Sequence, residues 1–132
     1  MAPQDTGSPD RRWPRRLFAV GSDPDPRFTL ANERTFLAWI RTSLALMAAG
    51  VGVEALNAVT PDQSSPLRTV LAILLLLAGV LCSATAFGRW MTTERAMRTN
   101  ASLPAPRLGP LLGYGLAAIG VVACALLLIT GI

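Results

Sequence analysis

The stretch LANERTFLAWIRTSLALMAAG, residues 30–50, decides the fold. It has the length and apolar weight of a membrane helix, yet Glu33, Arg34 and Arg41 stand along it. Charge is tolerated in such a segment only where water, a headgroup or a partner lies within reach. Two further apolar blocks follow. Residues 36–59, 69–88 and 110–130 are runs of 24, 20 and 21 residues, each matching the ~20 residues a helix needs to cross the hydrocarbon of a bilayer. The expected fold is an all-α membrane protein with three transmembrane helices.

Composition agrees. In 132 residues, 52% are hydrophobic and 15% charged, an unusual balance for a soluble domain of this size. The three blocks use about half of the chain and leave no room for a second soluble domain. Cys82 and Cys124 sit inside the second and third blocks, where free cysteine behaves as a small hydrophobe. Their expected depths differ by roughly 10 Å, which opposes a disulfide.

Each block has the same start signal: Asp25 before Pro26, Ser65 before Pro66, and Gly109 before Pro110. Proline is tolerated at the first helical position because its missing N–H would be unpaired there anyway. The expected helices are about 26–59, 66–99 and 110–131. The first two exceed a membrane span by about 10 to 14 residues, an excess of ~15–20 Å expected on the cytoplasmic side. Residues 1–25, with MAPQDTGSPDRRWPRR and then SDPDP, read as a disordered Arg/Pro-rich tail. Arg11, Arg12, Arg15 and Arg16 precede any apolar core, so the first helix reads as an uncleaved signal anchor.

Orientation follows the arginines, which are all twelve of the basic residues. Six lie in the tail up to Arg34 and four in the 89–109 connection, against Arg68 alone on the opposite side. Basic flanks resist translocation, so the expected localisation is the cell (inner) membrane, multi-pass, with the N-terminus cytoplasmic and the C-terminus outside. Trp39 and Trp90 then both fall at the inner interface, where indoles are favoured. The basic face attracts anionic lipid or a polyanion.

Arg27, Arg34 and Arg41 are spaced by seven, so they share a helix face, drifting ~20° and rising about 10 Å per step. Ala38, Ala45, Ala48 and Gly52 continue that strip inward. Arginine at the mouth with small residues beyond fits a tight packing seam or the wall of a narrow passage with a cationic entrance. Arg41 has two readings. It snorkels to water from about one turn inside the boundary, or it faces the interior of a bundle or oligomer and meets an anion. In the second helix, Glu94 and Arg98 are spaced as an i,i+4 ion pair on a solvated face. Gly109, Gly113 and Ala117 form a small-xxx-small series for close backbone approach. Asn100-Ala101-Ser102 matches a glycosylation sequon but falls on the expected cytoplasmic loop.

Catalysis has no support: there is no His, no metal-ligand cluster and no pair of carboxylates on one face. No catalytic residue, cofactor or metal is expected. A basic face that borders a membrane is also poorly placed to bind nucleic acid.

LANERTFLAWIRTSLALMAAGVGV, the three-helix layout, and RLGP at the opening of the last span together resemble the small bacterial membrane proteins grouped as "domain of unknown function 202", also called YidH-like. The resemblance covers about residues 22 to 130. Fungal relatives of this domain form the membrane part of the vacuolar transporter chaperone complex, which makes polyphosphate and passes it across a membrane. Basic residues on the inner portions of those helices engage the chain. By this resemblance Arg34 matches the arginine of the NERTF segment, and Arg98 and Arg107 match basic positions after helix two and in RLGP. Arg41 lies outside that match. With no polymerase or sensor domain in this sequence, the resemblance implies anion handling rather than synthesis.

The expectation is therefore a homo-oligomer in the lipid bilayer, with Arg27, Arg34, Arg41, Arg98 and Arg107 as candidate anion-binding residues. The alternative is an assembly subunit anchored by Arg to anionic lipids, with its Gly and Ala strips docking partner proteins. A small-solute exporter, the third reading, lacks the inverted repeat or broken helices of transporter folds.

Overall fold

The computed structural model describes residues 12–60, 65–105 and 108–130. The chain is helical: α1 (Arg15–Phe18), α2 (Pro26–Val59), α3 (Pro66–Arg98) and α4 (Leu108–Thr130). At 34 and 33 residues, α2 and α3 are each ~50 Å long. Both are long and apolar enough to cross a membrane, and Gly109–Ala125 of α4 is a shorter apolar stretch. Only 11% and 28% of the most apolar windows of α2 and α3 are buried within the chain. Their apolar surface faces outward, the reverse of a soluble core helix.

The helix starts follow from local chemistry. Asp25 caps α2, its carboxylate accepting from the Arg27 N–H at 2.9 Å, and Pro26 opens the helix. Ser65 caps α3 in the same way, accepting from the Leu67 N–H at 3.3 Å. The end of α3 is equally defined. Asn100 takes the left-handed conformation at φ 51°, its N–H reaches Met97 O, and the Ala101 N–H reaches Ala96 O at 2.9 Å. This is the paired closure of a Schellman motif, with asparagine in place of the usual glycine. In the structure the sequon asparagine is thus the helix stop.

α2 and α3 pack antiparallel along most of their length. Asn57 meets Thr69 at one end, Ser43 meets Gly79 in the middle, and Thr29 meets Glu94 at the other. On α2 the facing positions are Thr29, Asn32, Phe36, Trp39, Ser43, Leu46, Gly50, Val53 and Asn57. They alternate in steps of three and four, the 3.5-residue repeat of a coiled-coil seam. On α3 the buried Ala72, Leu75, Gly79, Cys82 and Ala86 keep the same steps. The seam is narrow because its residues are small. A Cβ on Gly79 would stand 2.9 Å from the Ser43 carbonyl oxygen, and the Ser43 hydroxyl donates to the Gly79 carbonyl at 2.6 Å. Apolar attraction between helices vanishes in lipid, so close backbone approach and such hydrogen bonds supply the association.

Of the tail expected to be disordered, residues 1–11 lie outside the described residues and residues 12–25 are described. The latter fold back as a strap across the end of α3. Leu17 is 2% exposed, and Trp13 stacks on Phe87 with ring centroids 6.2 Å apart. The Ser22 N–H donates to the Arg98 carbonyl at 3.2 Å. Gly21 makes the turn at φ 71°, where a side chain would be strained and would also overlap the Arg98 carbonyl. A stretch this rich in Pro and charge has little apolar surface with which to build a core of its own, and its contacts are with the surface that α3 supplies.

Candidate functional site

The site begins with the direction of the arginine ladder. If Thr29, Phe36 and Ser43 are the first positions of successive heptads, then Arg27, Arg34 and Arg41 are all sixth positions. At 100° per residue they lie roughly 170° from the midline of the α3-facing seam. All three are exposed. Arg27 reaches Asp25 at 3.8 Å, with its side chain 90% exposed, a surface pair worth little energy. Arg34 and Arg41 meet no acid among the described residues.

Ala38, Ala45, Ala48 and Gly52 are exposed on the same outward half of α2, and a Cβ on Gly52 would meet nothing within 4 Å. The packing seam of α2 with α3 therefore runs on the other face. Its residues escape a search for small-residue strips because Thr29, Asn32, Ser43 and Asn57 are polar; the step of three and four is the signal that finds them. α4 packs on α3 and lies beside Trp39, Thr42 and Leu46 of α2. All three of Gly109, Gly113 and Ala117 are exposed; Gly109 and Gly113 line the slot between the helices and Ala117 does not. Arg107 lies outside the described residues.

Arg98 is placed apart from the ladder. Its side chain is 2% exposed, and both terminal nitrogens donate to one Asp23 oxygen at 2.5 and 2.6 Å. Arg12 donates to the same carboxylate at 3.1 and 3.2 Å. The Arg12 and Arg98 guanidinium carbons each lie 4.7 Å from the Phe18 ring centroid, within cation–π range. The expected solvated Glu94–Arg98 pair is thus replaced by two separate partners. Glu94, 2% exposed, accepts from the Thr29 hydroxyl at 3.2 Å and from the Asn32 amide at 3.4 Å. Asn32 also donates to the Trp90 carbonyl at 3.1 Å.

The NERTF segment therefore divides by side of the helix. Asn32 and Phe36 turn inward, Phe36 lying against Trp90 with centroids 6.1 Å apart. Glu33 and Arg34 turn outward, and Thr35 is exposed at the edge of the seam. Asp23 and Phe18 are the residues that sequence reasoning misses, and the available signal is Gly21 between a basic segment and the Asp25-Pro26 cap. At the opposite end of the seam, Glu54, Asn57, Ser65 and Thr69 line an open polar pocket of about 290 Å³. Among the described residues no group of three His, Cys, Asp or Glu side chains is placed to hold a metal ion, and Cys82 and Cys124 are both free.

Known proteins resemble this chain in sequence. The family model described as Domain of unknown function (DUF202) matches residues 27–96, which include the ladder and the α2–α3 seam. Protein Rv2272 of Mycobacterium tuberculosis, described as uncharacterized, is 46% identical over 109 residues, 82% of this chain and 87% of its own. The inner membrane protein YidH of Escherichia coli is 40% identical over 117 residues, 88% of this chain and 99% of its own. A family match across more than half the chain, with relatives this similar over nearly their whole length, establishes the affiliation: the chain belongs to the DUF202 family.

Proposed function

We propose that this protein is a three-span inner-membrane subunit that works as a homo-oligomer and is not an enzyme. In this reading the outward face of α2 turns toward an axis shared between copies. Arg27, Arg34 and Arg41 then line a cytoplasmic vestibule that gathers phosphate-rich anions. The observation that carries the reading is the direction of the ladder: three arginines exposed on the α2 face opposite α3, with Arg34 and Arg41 meeting no acid among the described residues.

Several features support the topology. The 23 residues of α4 extend ~35 Å, enough for ~30 Å of hydrocarbon. The basic tail and the 89–109 connection favour the cytoplasm, and the relative YidH is described as an inner membrane protein. The ends of α2 and α3 near Thr29 and Glu94 then project on the cytoplasmic side, with the strap over them. Ala38, Ala45, Ala48 and Gly52 are small enough for neighbouring copies to approach beyond the arginines.

Binding of inorganic polyphosphate to the purified oligomer at low salt tests the vestibule. The chain with Arg34→Gln and Arg41→Gln should bind more weakly and keep its oligomer size. Equal binding would remove the site.

A second reading draws on the same exposure. An arginine on an uncovered helix face about one turn inside the boundary can reach anionic headgroups, which suits an assembly subunit. That reading expects unchanged polyphosphate binding and foreign subunits in stoichiometric amounts after gentle detergent extraction.

A further inference from the structure

Between α2, α3 and α4 lies an apolar slot of about 250 Å³, lined by Trp39, Leu46, Leu112, Gly113, Leu116 and Ile119 among others. The α4 wall stands clear of the pair: a Cβ on Gly109, Gly113 or Gly115 would meet nothing within 4 Å. Trp39 to Leu46 is seven residues and Gly109 to Ile119 is ten, so the slot runs ~10–15 Å along the helices. That is the depth of one leaflet of hydrocarbon. Trp39 also lines a small notch of mixed character with Asn32, Thr35, Phe36, Ala86, Arg89 and Trp90. Arg89 is half-buried and meets no acid among the described residues. The Trp90 indole N–H is buried without an acceptor, a state that costs free energy unless a partner binds there.

We infer that the slot and notch together form a binding site for one anionic phospholipid of the inner leaflet. One acyl chain fills the slot beside Gly113, and the headgroup phosphate meets Arg89 at the notch. The shape selects the chain, because an apolar cleft one leaflet deep that opens within the membrane span offers nothing to a soluble anion. The charge selects the headgroup, because Arg89 is a cation that meets no acid among the described residues at the Trp39 end of that cleft. This site is on the α3–α4 side of α2, about a quarter-turn or more from the ladder. It rests on the three-span reading and is independent of the vestibule.

Native mass spectrometry of the purified full chain tests it. The protein is exchanged from mixed micelles holding equal phosphatidylglycerol and phosphatidylcholine, and bound lipid is counted per chain. The native chain should retain one lipid, with phosphatidylglycerol enriched about fivefold, the ratio expected for one Arg near an anionic headgroup. Arg89→Gln should abolish the enrichment while keeping a lipid bound. Gly113→Leu, which fills the slot, should lose the lipid, whereas Gly120→Leu, which does not line it, should keep it. Retention by Gly113→Leu equal to that of the native chain overturns the proposal, as does equal retention of the two lipids by the native chain. Displacement of the lipid by inorganic phosphate alone would also overturn it, by assigning the site to a free anion. A second copy seated in the slot would appear as a dimer lost in Gly113→Leu with no lipid bound, and would replace the lipid. Polyphosphate binding is a separate readout, so failure of either idea is seen independently.

Discussion

The Arg98 guanidinium is bound by Asp23, with both terminal nitrogens on one carboxylate oxygen at 2.5 and 2.6 Å. The residues are 75 apart in sequence, and their pairing fastens the chain entering α2 to the end of α3. The contact is charge-assisted, with one carboxylate oxygen shared by both nitrogens, and bonds between ionised groups are stronger than neutral ones.

Asp23→Asn should loosen this fastening. It removes the charge shared by Arg98 and Arg12 and leaves a buried guanidinium poorly compensated, at a cost of about 2 kcal/mol. The strap contains Arg15 and Arg16, both exposed, as trypsin sites. Cleavage there in detergent should accelerate by roughly 30-fold if opening limits proteolysis. Gly21→Ala should act in the same direction, because the turn cannot accept a Cβ. An unchanged cleavage rate in both variants would mean that the strap is held by Leu17 and Trp13 instead.

The seam makes a contrasting pair of glycine predictions. Gly79→Ala forces a methyl against Ser43 and Met47 and should lower thermal stability in detergent by about 1–3 kcal/mol. Gly52→Ala enters open space on the outward face and should leave stability equal or raise it by up to about 1 kcal/mol. The sign of the difference is read from two melting curves. A Gly52→Ala chain that is less stable than Gly79→Ala would place the tight contact on the wrong face.

Removing the two inner rungs of the ladder should weaken polyphosphate binding. Arg34→Gln with Arg41→Gln deletes two cations, each worth ~1 kcal/mol against an anionic partner at low salt, so affinity should fall about 30-fold. The deficit should shrink as salt rises, because exposed charges are screened within about 10 Å at 0.1 M. A salt-independent deficit would point to altered packing instead.

The helices were legible because the signals that form them are local. Asp25-Pro26 and Ser65-Pro66 encode their own caps, and the apolar runs state their length directly. The seam was partly hidden. In lipid the seam is not the most apolar stripe, so Ser43, Gly50 and Asn57 do not announce themselves by hydrophobicity. The strap was hidden further, since the fate of Asp23 depends on a residue 75 positions away. The spacing of Glu94 and Arg98 suggested a local pair, but Thr29 and Asn32 bind the buried Glu94 and Asp23 binds the buried Arg98. The ladder was legible as a shared face, and its direction needed the seam opposite it.

The most direct test of the central claim is a disulfide between copies at Ala48, a sixth-position residue on the outward face of α2. Ala48→Cys is placed in a chain carrying Cys82→Ala and Cys124→Ala, and inner-membrane vesicles are oxidised before non-reducing electrophoresis. Bridging requires Cα atoms within about 7 Å, which two α2 faces meeting across small residues would provide. Leu81→Cys, on an exposed face of α3 (63% exposed), is the comparison. The account predicts a covalent dimer for Ala48→Cys and monomer for Leu81→Cys. Monomer at Ala48 with dimer at Leu81 would contradict it, because α2 would then present its arginines to lipid rather than to a neighbouring copy.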